Sequence, residues 1–163
     1  MLKVVRKSAW SYAFSVMDGT ESLAQTVDLS WRRDEAELRL PDATYSARRQ
    51  RSTYVLEAAG SVLARAERPR KLFRELIIEH AGHPYTLRAK SVFSREFLLF
   101  ERATYLGSIS PEGLFTRKST VDLPKELPLY LQVFVMWLVM CFWKHADGAV
   151  ASSAVAGVTI ATG

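Results

Sequence analysis

One stretch without a charged residue, Leu127 to Trp143, constrains the fold of this chain more than any other feature. It reads LPLYLQVFVMWLVMCFW and follows a long series of short runs that alternate between apolar and polar residues. A helix that is apolar on every face has to be hidden from water, either in a bilayer or in a protein interior. The sequence therefore predicts either a membrane anchor or a β-rich domain built around its own helix.

Three properties of this stretch favour a protein interior. A membrane-spanning helix needs about 20 consecutive apolar residues, and this run is shorter. Trp137 falls in its middle, whereas the tryptophans that anchor a helix in a bilayer lie at the interfaces. Gln132 adds a polar side chain to the run. We therefore favour a buried core helix and keep a single membrane span as the alternative.

The two ends of the stretch carry the boundary signals of a soluble helix. They are two prolines, two basic residues and one glycine: Pro124, Pro128, Lys144, His145 and Gly148. These signals predict a helix over about 124–145, which Gly148 would terminate. The small residues of 149–163 then form either a last strand near 155–160 or a tail.

Upstream of the helix, three segments repeat an alternating run, a small-residue turn and a second alternating run: Tyr54–Ala64, Ile77–Leu87 and Phe97–Ile109. Their spacing is typical of successive two-stranded hairpins. Asp18-Gly19 indicates an earlier hairpin, and Pro111–Gly113 a later turn that leads into Leu114–Val121. Both arms of each hairpin together give about ten to twelve strands.

So many antiparallel strands in succession predict a closed barrel or a sandwich, and closure has the advantage of removing exposed strand edges. A barrel of that many strands is wide enough to hold a helix. We therefore predict a mainly β fold with one buried helix. It is a closed antiparallel β-barrel of about twelve strands around a central hydrophobic C-terminal helix, in one domain over residues 1–148.

The cysteine content bears on the cellular compartment. The single Cys141 excludes an intramolecular disulfide and fits a reducing environment. It lies in the apolar stretch, where a thiol behaves as a small hydrophobe. The N-terminal residues are basic but contain no apolar segment of signal-peptide length. We expect a cytoplasmic protein that lies at the membrane surface if it binds lipid.

The net charge of +5 is concentrated in one part of the chain. Between residues 43 and 74, the only acidic residues are Glu57 and Glu67, against eight basic ones: Arg48, Arg49, Arg51, Arg65, Arg68, Arg70, Lys71 and Arg74. Such a patch predicts an anionic partner, a phospholipid surface or nucleic acid. Basic residues also keep the exposed faces of strands soluble, which is the simpler interpretation.

Several short patterns resemble the tubby C-terminal-like superfamily, which includes the tubby domain, the phospholipid scramblases and the LURP-one-related proteins. The chain contains Phe-Ser-Arg-Glu-Phe-Leu-Leu from Phe93, Leu-Gly-Ser-Ile from Leu106 and Val-Asp-Leu-Pro from Val121, followed by the apolar helix. The resemblance covers about residues 10–144, and the length suits the short bacterial and LURP-one-like members. It implies a barrel of about twelve strands around a central hydrophobic helix.

The resemblance also implies a function, because tubby domains bind phosphoinositides through basic surface residues. On that basis the candidate lipid-binding residues are Arg48, Arg49, Arg51, Arg68, Arg70 and Lys71. The basic segment carries this expectation by its character alone, without a match to individual family residues. The cysteine cluster and the Asp-rich calcium loop of scramblases are absent from the sequence.

The sequence contains no pattern typical of an enzyme or of a cofactor site. His80 and His83 flank one turn, but a zinc site needs three or four ligands. A phosphate-binding loop and a nucleophile elbow are both missing. Asp34, Glu35 and Glu37 lie beside Arg32 and Arg33, which predicts a solvated, self-neutralising stretch. We expect no catalytic residue, no metal, no cofactor and no small-molecule substrate.

Three functional classes remain at this stage. The first is a non-enzymatic barrel that binds anionic phospholipid or phosphoinositide headgroups. The second is a structural or interaction module without a small ligand, and the third is a membrane-anchored protein. Nucleic acid is a weaker partner than lipid, because the basic segment lacks an interleaved set of aromatic residues on which bases could stack.

Overall fold

The computed structural model describes residues 1–8, 11–30, 32–69, 74–113 and 117–149, together with the helical backbone of 150–156. These described residues form twelve strands and one helix, in this order: β1 Leu2–Ser8, β2 Ser11–Asp18, β3 Glu21–Ser30, β4 Glu35–Arg39, β5 Thr44–Gln50, β6 Thr53–Ala58, β7 Ser61–Glu67, β8 Glu75–His80, β9 His83–Ala89, β10 Phe97–Glu101, β11 Thr104–Pro111, β12 Lys118–Asp122 and α1 Leu129–Ala156.

Every strand pairs antiparallel with its neighbour in sequence, and β1 pairs with β12 to close the barrel. Val4 of β1, for example, lies opposite Ser119 of β12 and Val16 of β2. Closure leaves no strand edge exposed to other chains. The predicted fold class, a closed antiparallel barrel of about twelve strands around one helix, is confirmed.

Alternation of apolar and polar residues positions the strands. In β8, Leu76 and Ile78 are buried while Glu79 is exposed, as a period of two requires. The inward side chains of all twelve strands meet the helix, whose residues from Leu131 to Trp143 are all buried. Phe134 and Leu138 of the helix are fully buried. The core is thus a layer of side chains between one helix and one closed sheet.

Backbone geometry supports the tight connections. The turns Ala59-Gly60 and Ala81-Gly82 have positive φ at both residues, which two-residue hairpin turns require. Gly107 of β11 serves another purpose, since a Cβ there would overlap the backbone carbonyl oxygen of Asp122 in β12. A side chain at this position would force β11 and β12 apart.

The helix differs from the prediction at both ends. It begins at Leu129, after Pro124 and Pro128, and continues to Ala156. The prediction that Gly148 terminates it is therefore wrong, as is a strand or tail beginning at 149. Small residues continue the helix because nothing in 149–156 breaks it. The remaining part of the predicted strand, 157–160, lies outside the described residues.

The two ends of the barrel are built differently. At one end, called here the turn end, four two-residue turns connect the strands, at 19–20, 59–60, 81–82 and 102–103. The helix begins at this end. At the other, the loop end, lie the residues after β3, β5, β7, β9 and β11, namely 32–34, 51–52, 68–69 with 74, 90–96 and 112–113 with 117. The helix leaves the barrel there.

Candidate functional site

Asp34 ties the helix to the barrel wall at the loop end. Its carboxylate accepts hydrogen bonds from Lys144 and His145 of the helix, the latter at 2.9 Å from Nε2 to Oδ2. Arg49 Nη1 lies 3.5 Å from the same Oδ2. Burial opposes ionisation, but the hydrogen bonds from His145 and Lys144 outweigh it and lower the pKa of Asp34 to about 2. The prediction that Asp34 lies in a solvated stretch is wrong, because it is only 2% exposed.

A second carboxylate, Asp147, fastens the helix on another side. Tyr12 of β2 donates a hydrogen bond to it at 2.5 Å, and Arg95 forms an ion pair with it at 3.0 Å. Burial and the bond to Asp147 raise the pKa of Tyr12 to about 12, so the phenol remains a donor at neutral pH. Trp143 Nε1 donates to the carbonyl oxygen of Arg95 at 3.0 Å. The helix is thus held by polar contacts where it leaves the barrel.

Among the described residues, five arginines lie over aromatic rings around this opening, and we call them the arginine collar. The pairs are Arg6 with Tyr12, Arg49 with Tyr54, Arg68 with Phe142, Arg74 with Phe97, and Arg95 with Trp143, at 5.0–5.8 Å from guanidinium carbon to ring centroid. Each guanidinium can stay in water while its stem covers apolar surface. The collar therefore seals the core and also leaves positive charge at the loop end.

The acidic residues described in the loops of this end are all engaged by basic side chains. Asp34 binds the helix, Glu96 pairs with Lys90 at 2.8 Å, and Glu112 pairs with Lys3 at 3.0 Å. Arginines on neighbouring loops are exposed: Arg32, Arg33, Arg51 and Arg117. Because the carboxylates are already neutralised, the loop end presents a net positive surface.

The connection from Lys90 to Glu96, called here the tip loop, exposes two large apolar residues. Phe93 is 96% exposed and Val92 is 79% exposed, although both belong to residue types that are usually buried. Arg74 Nη1 donates to the carbonyl oxygen of Ser94 at 2.7 Å, and Lys90 N donates to the carbonyl oxygen of Glu96 at 2.9 Å. These bonds brace the base of the loop, so its apolar tip is held out in solvent.

Of the six predicted lipid-binding residues, the structure describes four, and these four do not form one group. Arg49 and Arg68 belong to the arginine collar, and Arg51 is exposed in the β5–β6 turn, so these three lie at the loop end. Arg48 directly precedes Arg49 in β5, so its side chain faces outward on the wall of the barrel, where it pairs with Glu57 at 2.8 Å. Arg70 and Lys71 lie outside the described residues. The predicted segment is therefore only partly assembled into one surface.

Sequence reasoning missed the features that give this end its character. Arg32 and Arg33 were assigned to a self-neutralising stretch. Their neighbour Asp34 is instead hydrogen-bonded to the helix, and both arginines are exposed. The apolar pair Val92-Phe93, flanked by serines in a connection between strands, was a readable signal, because exposed turns seldom carry two large apolar residues. β1, β4 and β5 were also absent from the predicted hairpins.

Other groups considered in the sequence have structural partners. His80 shares a hydrogen bond of 2.8 Å between its Nε2 and the hydroxyl of Tyr130, and His83 Nδ1 lies 3.1 Å from Glu101. Cys141 is buried, and burial raises the pKa of its thiol far above the usual range. Within the described ranges, no three His, Cys, Asp or Glu side chains are grouped to hold a metal ion.

By length and composition alone, Leu129–Ala149 could cross a membrane. In the structure, 72% of the most apolar part of this helix is buried inside the barrel. Its polar contacts with Asp34, Tyr12 and Arg95 would all be broken if the helix left. The helix is thus the core of the domain in this conformation.

Comparison of the chain with protein-family models, curated proteins and solved structures found no match. The resemblance to the tubby C-terminal-like superfamily therefore stays a prediction.

Proposed function

We propose that this protein is a non-enzymatic barrel that binds anionic phospholipid membranes through its loop end, at the cytoplasmic surface. The observation that carries the proposal is the tip loop, which holds an almost fully exposed Phe93 beside Val92 on the same end of the barrel as the exposed arginines. An apolar tip within a basic surface suits the boundary between lipid headgroups and acyl chains.

Electrostatic attraction supplies the first part of the binding. Each Lys or Arg near an anionic surface contributes about 1 kcal/mol, and the contribution fades within a Debye length of about 8–10 Å. Arg32, Arg33 and Arg51 lie on exposed loops and can approach such a surface together. Arg49 and Arg68 are held by the core and add long-range charge. Arg48, paired with Glu57 on the wall, contributes least.

Insertion of the tip supplies the second part. Phe is among the side chains that interfacial segments bury at the boundary of headgroups and acyl chains, and burial of apolar surface contributes about 25 cal/mol per Å². The hydrogen bonds from Arg74 and Lys90 hold the loop in one shape before binding. A preformed loop loses less conformational entropy when it inserts.

Vesicle co-sedimentation tests the proposal with two pairs of variants. Arg32→Glu/Arg33→Glu removes charge at the loop end, and Arg102→Glu/Lys125→Glu makes the same charge change at the turn end. Phe93→Ser removes the apolar tip, and Val62→Ser removes an exposed apolar residue near the turn end. Residues of the arginine collar are left intact, because their substitution would disturb the core.

Wild type should bind vesicles that contain phosphatidylserine, more weakly as salt increases, and should not bind phosphatidylcholine alone. Arg32→Glu/Arg33→Glu and Phe93→Ser should both lose binding, while the two turn-end variants keep it. Equal loss in both charge pairs would mean unspecific attraction and would refute a docking end. Binding that survives Phe93→Ser would refute insertion of the tip. If wild type bound no vesicles, membrane binding would be refuted, and the protein would instead be an interaction module that uses the same surface to bind a protein.

A further inference from the structure

A cleft of about 780 Å³ lies on the outer wall of the barrel, where β1 runs between β2 and β12. Its volume is within the range of about 300–1,000 Å³ that is typical of small-molecule sites. Its described lining residues do not include the tip loop or Arg32, Arg33 and Arg51. A role in binding one small molecule would therefore use residues other than those three arginines and the tip loop, although Arg117 also lies at the loop end.

The register of β1 with β2 and β12 places the lining residues of the cleft in rows that cross the three strands. Val5 of β1 lies opposite Ser15 of β2 on one side and opposite Lys118 of β12 on the other. Met17 lies opposite Lys3 in the next row toward the turn end. Val4 and Val16 alternate with these residues and are buried against the helix, so Val5 and Met17 face outward. They are partly buried and form the apolar floor.

Positive charge collects at one side of that floor. Lys7 lies two residues beyond Val5 toward the loop end. Arg117 directly precedes β12 and is level with Arg6, whose backbone N donates to the carbonyl oxygen of Arg117 at 3.0 Å. Among the described lining residues, one is acidic, Glu112. It forms an ion pair with Lys3 at 3.0 Å and accepts a hydrogen bond from the hydroxyl of Thr120 at 3.3 Å. The charge of the cleft therefore stays positive.

We propose that this cleft binds a small amphipathic anion, with its anionic group against Lys7 and Arg117 and its apolar body over Val5 and Met17. A guanidinium and an ammonium group together hold a phosphate or carboxylate with charge-assisted hydrogen bonds. The hydroxyl of Ser15 offers one more donor beside the apolar floor. Because Lys7 and Arg117 lie on the loop-end side of the apolar floor, the ligand binds in one orientation, with its charged group toward the loop end.

Calorimetric titration of the full chain with octyl phosphate, inorganic phosphate and octanol tests both halves of the site. Octyl phosphate, kept below its micelle concentration, should bind saturably to one site and about tenfold or more tightly than either fragment, because only it satisfies floor and cations together. Lys7→Glu/Arg117→Glu should weaken octyl phosphate about tenfold or more, and Met17→Gln should weaken it without changing the affinity for inorganic phosphate.

Arg102→Glu/Lys125→Glu changes the net charge equally at the turn end and should leave the titration unchanged. Circular dichroism and melting of each variant show whether the barrel is intact. Octyl phosphate that binds no better than inorganic phosphate would overturn the apolar half of the proposal. An equal loss in the turn-end control, or the lack of saturable binding by wild type, would overturn the site itself.

Discussion

The two ends of the barrel hold the same helix with different chemistry. At the turn end, Tyr130 stacks on Tyr45 with ring centroids 5.2 Å apart and shares a hydrogen bond with His80. Burial lowers the pKa of His80, so this contact is between neutral groups at pH 7. At the loop end, the helix is held by the carboxylates Asp34 and Asp147 and surrounded by the arginine collar.

This difference separates stability from function. At the turn end, four of the connections are two-residue turns, and the helix is held by the contact between His80 and Tyr130. The loop end has longer connections, exposed arginines and an apolar tip, which are the features that positioned loops use to bind partners. The buried Asp34, whose pKa is lowered to about 2, also makes the stability of this end depend on pH.

The largest effect is expected from the helix between the two ends. Trp137 is buried in its middle, stacked on Phe134 and edge-on to Tyr54. Trp137→Ala should lower the free energy of unfolding by about 3–5 kcal/mol, because it removes a large buried aromatic and leaves a cavity. Urea denaturation measures the change. Stability like that of wild type would mean that the barrel does not depend on its central helix.

Asp34→Asn and Asp42→Asn compare the two ends directly. Asp34 is buried among basic groups, so its replacement should cost about 1.5–3 kcal/mol through weakened charge-assisted hydrogen bonds. Asp42 is exposed and accepts one hydrogen bond from Tyr45 at 2.8 Å, so Asp42→Asn should cost less than about 1 kcal/mol. Equal costs in urea denaturation would remove the distinction between the ends.

Acid should weaken the loop end through Asp34. Its pKa is lowered from 3.8 to about 2 in the folded protein, so the unfolded chain binds a proton more readily. The stabilisation is present above pH 4 and is lost as the pH falls from about 4 to 2, by about 2 kcal/mol. In melting curves over this range, Asp34→Asn should lose less stability than wild type. A parallel decline of both proteins would contradict this role for Asp34.

The smallest effect on stability is expected at the tip loop. Phe93→Ser should change the free energy of unfolding by less than about 0.5 kcal/mol, as Val62→Ser should near the turn end, because both side chains are exposed. The two variants should then differ only in vesicle binding. A clear destabilisation by Phe93→Ser in urea denaturation would show that the tip packs on the domain and does not serve as a free insertion element.

Local patterns were sufficient to predict the larger part of the fold. The hairpins around 59–60, 81–82 and 102–103 follow from alternation over a few residues and from small turn residues. β1, β4 and β5 were missed, because β1 pairs with β12 at the opposite end of the chain, β4 is short and charged, and β5 ends in a basic run that was assigned only to the positive patch. The extension of the helix beyond Gly148 was also missed, since one glycine lowers helix stability without ending the helix.

By itself, then, the sequence determined that many strands surround one helix, because a helix apolar on all faces leaves few alternatives and a period of two defines a strand. Only the tertiary structure decided which charged side chains form ion pairs within the fold and which are exposed. Asp34 pairs with Lys144, which lies 110 positions away in the chain, whereas Arg32 and Arg33, the neighbours of Asp34, are on the surface. Ion pairs and ring contacts depend on distances in space, and those distances exist only once the barrel has closed around its helix.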